Sequence, residues 1–177
     1  MSAPRPRERT VGYRLLLAGI LLLAALSRSN AQTAQKVVDI PTRPGVTQRM
    51  IVLAPPDPKA AVVLFPGGHG GLQVFANGSM KWGEGNFLVR TRQLFVDQGL
   101  LVVVVDAPSD RQSAPFLQGF RQKPEHAADV KAVIAWLRET AKVPVWLVGT
   151  SRGTQSVGYA IMNRMGVHSA RIRRYRH

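Results

Sequence analysis

Three apolar runs punctuate the middle of the chain, at residues 61–65, 100–105 and 143–148. None contains a charge, the pattern of strands covered on both faces. Between them the period lengthens. After Pro124, residues Val130, Val133, Ile134 and Leu137 repeat at i, i+3, i+4 and i+7, which predicts a helix with one apolar face. Asn86 can cap a second helix running to Gln98, with Gly99 as its stop and Phe87, Leu88, Leu94 and Phe95 on one face. A third helix is predicted after Gly153. Residues 48–53 alternate loosely and predict an early strand, ended by Pro55-Pro56-Asp57-Pro58. Residues 72–85, with Asn77-Gly78 and Gly83-Glu84-Gly85, predict a long polar loop. Alternating strands and helices imply an α/β fold, a mostly parallel sheet with flanking helices.

The two ends differ from this core. Arg5, Arg7, Arg9 and Arg14 precede a twelve-residue apolar stretch at 15–26, and Ser29-Asn30-Ala31 supplies small residues for cleavage before Gln32. Residues 1–31 thus have the form of a signal peptide for export to the periplasm or medium. Twelve apolar residues are short for a span of about twenty. An uncleaved N-terminal anchor is the alternative, and only then is a membrane a partner. Residues 32–45 are expected to form a linker, and 46–163 the folded domain. From 164 onward no apolar strand or amphipathic pattern remains. That stretch is expected to be a disordered basic tail, the product of a lost reading frame, or the end of a fragment.

The net charge of +14 belongs largely to these ends: residues 1–31 hold five Arg and one Glu, and residues 164–177 hold five Arg and no acid. A nucleic-acid binder needs a basic face on its folded domain, and the sequence offers none. With no cysteine there is no disulfide, thiol nucleophile or thiolate metal site. No cluster has metal-ligand spacing, and no cofactor is expected.

The chemistry is concentrated after the third apolar run, which leads straight into Gly149-Thr150-Ser151-Arg152-Gly153. Gly-x-Ser-x-Gly alone arises by chance in roughly 5% of chains of this length. A strand before it and a helix after it make it a candidate nucleophile elbow, with Ser151 exposed on a tight turn. Gly149 and Gly153 are the elbow glycines, where a side chain would obstruct the turn. A second glycine cluster, Gly67-Gly68-His69-Gly70-Gly71, follows the first apolar run. Gln73 stands where G-x-G-x-x-G needs its last glycine, and no Gly-Lys-Ser/Thr follows, so neither phosphate-loop pattern fits. A turn of this kind after an early strand can supply an amide to an oxyanion.

The order strand, Gly-Gly-His-Gly-Gly, helix, strand ending Val-Asp-Ala-Pro, helix, strand, Gly-Thr-Ser-Arg-Gly resembles the N-terminal half of an α/β-hydrolase. It is similar to bacterial exported hydrolases distantly related to dienelactone hydrolases. The resemblance covers residues 46–161 and implies a truncated α/β-hydrolase fold. It also implies serine-dependent hydrolysis of an ester, lactone or related acyl bond in a small-molecule substrate. Ser151 matches the nucleophile. The amide of Arg152 and one near Gly68 or His69 match the oxyanion hole. The family's acid and catalytic histidine follow later strands and have no matching positions here.

A serine nucleophile needs a base within hydrogen-bond reach. His69 sits in the glycine turn, as a substrate-positioning residue or a plain loop residue. His126 begins a helix and is expected at the surface. His168 falls beyond a helix rising 1.5 Å per residue, remote from the serine, and His177 is terminal. Asp106 and Asp110 follow the second apolar run, on the sheet edge where such folds place their sites. They are expected to act as turn aspartates bonding local amides, or as substrate-side or loop-fixing carboxylates. Arg152 is expected to pair with a nearby carboxylate or to steer an anionic substrate. Trp136 and Trp146 are expected in the core. Little or no activity is expected of the chain as written, and a non-catalytic pseudoenzyme or fragment, tethered to a membrane if the leader stays attached, is the alternative.

Overall fold

A computed structural model describes residues 33–163. The proposed leader, the 164–177 tail, His168 and His177 lie outside the described residues. Among the described residues, five strands form one mixed sheet in the order β1-β2-β4-β3-β5. They are β1 (Gln35–Arg43), β2 (Val46–Leu53), β3 (Ala60–Phe65), β4 (Leu100–Pro108) and β5 (Val145–Gly149). β3, β4 and β5 run parallel, while β1–β2 and β2–β4 pair antiparallel. Residues 35–43, expected as a linker, are therefore a strand. Gly45, at φ +70°, turns the chain into a hairpin whose Gln35–Leu53 register continues into the sheet.

The central strands put alternate residues on opposite faces. Met50, Val52, Ala61, Val63, Phe65, Val103 and Val105 share one core with Val130, Val133, Ile134 and Leu137 of α3 (Pro124–Ala141) and Ala160 of α4 (Gly153–Met162). Ile51, Leu53, Val62, Leu64, Val102 and Val104 face a second core with Leu88 of α1 (Phe87–Arg90) and Val96 of α2 (Arg92–Asp97). The helix expected over 86–98 is thus two short ones. Asn86 caps the first by accepting from the Leu88 amide, and the chain breaks at Thr91. The buried face is Leu88, Val89 and Val96, whereas Phe87 and Leu94 are exposed. The break changes the helical phase, so a single-helix wheel selects the wrong face. The 72–85 loop also departs from a purely polar one: Leu72, Val74 and Met80 are buried in the second core, and Val74 bridges Met80.

Chain order sets the site's position. β4 joins one side of β3, then α3 carries the chain back so that β5 joins the other. At such a switch point the loops leaving the strands' carboxyl ends part and leave a crevice. The register pairs Phe65 with Gly149, so the turn after β3 and the turn after β5 begin level with each other.

Candidate active site

Ser151 occupies the turn between β5 and α4 and is exposed, with φ +51°. A left-handed backbone is costly for a residue with a Cβ, and it accumulates where geometry has a use. Here it lets the chain reverse within three residues. The two flanking glycines are required by contact. A Cβ on Gly149 would lie 2.5 Å from the Gly153 carbonyl oxygen, and one on Gly153 would collide with the Phe65 carbonyl. The elbow is pressed that tightly against the end of β3.

The glycine turn meets it there. A Cβ on Gly67 would lie 3.0 Å from the Thr150 oxygen and 3.1 Å from Ser151 Cβ. Gly68 and Gly70 both adopt positive φ. Among the described residues, the amides of Gly68, His69 and Arg152 donate to no acceptor, and the Ser151 hydroxyl makes no hydrogen bond. A hollow of about 240 Å³ is lined by residues 67–72 with Gly83 and Asn86.

The turn is held from two sides. Asp106, buried at the end of β4, accepts from the amides of Leu72 (2.6 Å), Gln73 (3.2 Å), Val74 (2.9 Å) and Ala107 (2.7 Å). That is the loop-fixing role among those its position suggested. On the other side the segment 113–121 packs over the turn. The Phe116 ring stacks on His69 at 4.4 Å and lies against Gly71, and the Leu117 amide donates to the His69 carbonyl at 2.9 Å. His69 Nδ1 in turn accepts from the Gly71 amide at 3.1 Å.

Three expectations change. His126 is buried, not at the surface, with Nε2 2.9 Å from Ser156 Oγ. Its position four before Val130 puts it on the apolar stripe of α3, a signal already present in the sequence. Burial pushes its pKa down to about 4, with the charges of Arg121 and Arg43 adding to the effect. Arg152 has no ion pair among the described residues. Asp110 and Asp129 are taken by Arg43, and Asp106 by backbone amides. Trp146 is 37% exposed because β5 lies at the sheet edge, while Trp136 packs against the core as expected. Arg121 and Ser156 belong to no motif that the sequence offers. Both are buried and bonded to each other behind the elbow.

No family model matches the sequence, and no curated protein matches it. Solved structures do. An esterase from Pyrococcus furiosus aligns with TM-score 0.57 and 16% identity, over 80% of this chain and 51% of its own. DcsB, solved with a substrate analogue, aligns at 0.55 and 20%, over 75% and 42%. A dienelactone hydrolase from Anabaena variabilis aligns at 0.54 and 14%, over 77% and 60%. The chain thus spans about half the length of these structures, and at such identities the likeness establishes the fold alone. What the chain shares with them is an α/β-hydrolase-like fold.

Proposed function

We propose that the chain carries the nucleophile and oxyanion part of a serine-dependent hydrolase acting on an ester, lactone or related acyl bond of a small molecule. The carrying observation is the strained, exposed Ser151 turn in contact with Gly67. In this scheme Oγ attacks the acyl carbonyl, and the amides of Arg152 and of Gly68 or His69 hold the oxygen as it becomes negative. Those amides have no partner among the described residues, as donors reserved for a transient anion require. The basic, apolar and small-residue pattern of 1–31 supports export. On this reading the reaction takes place outside the cytoplasm.

Attack also needs a base to take the serine proton, and no group among the described residues hydrogen-bonds the hydroxyl. Loss of the base from a serine triad costs about 10⁶ in turnover, so the chain as written should be weakly active or inactive. The same observation favours the second reading, a non-catalytic product. The test pairs a p-nitrophenyl ester assay with a fluorophosphonate label. We expect negligible turnover and slow labelling that disappears in Ser151→Ala. Rapid hydrolysis abolished by Ser151→Ala would overturn the weak-activity part. Labelling unchanged in Ser151→Ala would overturn the nucleophile, and no labelling at all would favour the non-catalytic product.

A further inference from the structure

Behind the elbow lies a buried cation that no carboxylate among the described residues meets. Arg121 is 2% exposed, and among the described residues it has no ion pair. Its Nη2 donates to the Pro66 carbonyl at 2.8 Å and its Nη1 to Ser156 Oγ at 2.9 Å. Pro66 is the residue before the glycine turn, and Ser156 lies on the first turn of α4, behind Ser151. The guanidinium also fills the space under the turn, where a Cβ on Gly70 would collide with Nη2. A buried charge without a counter-ion is poor at stabilising a fold, since an apolar side chain of similar volume commonly does as well. What a planar fork supplies, and an apolar side chain cannot, is a fixed distance between two acceptors. We propose that Arg121 is a positioning residue, a strut that sets the gap between the glycine turn and the serine elbow.

His126 completes the arrangement. Arginine only donates, so Ser156 Oγ accepts from Arg121, and the same hydroxyl shares a second hydrogen bond with His126 Nε2 at 2.9 Å. The other ring nitrogen, Nδ1, is buried without a partner among the described residues. The strut is thereby tied to α3 as well as to β3 and α4. This proposal rests on the functional reading above for its purpose, but not for its test.

Amide hydrogen exchange on the full chain reads the strut directly and requires no reactive serine. In Arg121→Met, exchange should rise roughly tenfold or more in peptides covering residues 66–71 and 153–158, as the loss of two charge-assisted hydrogen bonds predicts. Peptides from β3 and β4 should keep their protection. Arg121→Lys, a point charge on a flexible stem, should loosen the turn less than Arg121→Met, and Ser156→Ala should loosen α4 more than the glycine turn. Unchanged exchange in both segments, or an equal rise throughout the protein, would overturn the strut. If Arg121→Met does not fold, Arg121→Lys and Ser156→Ala decide by the same criterion. Failure of fluorophosphonate to label Ser151 would leave this result standing, so the two proposals fail separately.

Discussion

The site is built from two regions of unequal solidity. On one side, β3 is buried at every residue and β4 at all but its first, and the turn after β3 is tied to Asp106 by three of its amides. On the other, β5 is buried only at Val145, is exposed at Trp146, and is half-buried from Leu147 to Gly149. The difference is one of neighbours: β3 hydrogen-bonds to β4 and β5, whereas β5 pairs with β3 alone among the described residues. The amides of the glycine turn, which we propose as oxyanion donors, therefore stand on a well-buried base, and the serine stands on a strand that is half solvated. Local opening follows such asymmetry, because regions with fewer buried apolar contacts open at lower free energy.

Asp106 offers the largest way to break this contrast. Asp106→Ala should leave the amides of Leu72, Gln73, Val74 and Ala107 without their acceptor, costing roughly 3–5 kcal/mol in urea unfolding. A cost under about 1 kcal/mol would show that the firm side does not depend on that carboxylate.

The next effect lies at the seam between α3 and α4. His126 titrates near 4 when folded, below its ordinary 6.5, because burial disfavours its charged form. Between those two values the unfolded chain binds a proton that the folded one does not. This contribution is complete above 6.5, shrinks as pH falls through the window, and is gone below about 4. It amounts to about 3 kcal/mol at most. His126→Gln should flatten the stability-against-pH curve in that window, and an unchanged slope would refute the assignment.

A matched pair of truncations sharpens the comparison more gently. Leu64→Ala, at a fully buried site in β3, should cost about 3 kcal/mol, and Leu147→Ala, in half-buried β5, about 1 kcal/mol. Equal costs would mean that β5 is covered as well as β3 is. The smallest effect is at the elbow itself. Ser151→Gly removes the left-handed strain and should be about 1 kcal/mol more stable than Ser151→Ala, which keeps it. No difference between them would remove the backbone strain from the account of the site.

Much of this is legible in the sequence, and what is not has physical causes. The unbroken apolar runs marked β3, β4 and β5, and the 3.6-residue period marked α3, since burial on both faces and on one face write different patterns. Residues 35–43 escaped because an edge strand of a hairpin carries few buried side chains: only Ile40 is buried in β1. His126 was misplaced by its residue type, although its spacing from Val130 put it on the buried stripe.

The sequence by itself determined the kinds of element, their order and the two glycine-bearing turns, because periodicity and the demand for a missing Cβ are local properties. Only the tertiary structure decided that those turns touch, that Asp106 serves amides, and that Arg121 links Pro66 to Ser156. These contacts run from 32 residues apart, for Asp106 and Val74, to 84, for Gly67 and Ser151. They depend on strand order and register, which bring distant positions together at one sheet edge and leave no mark in any local window of the chain.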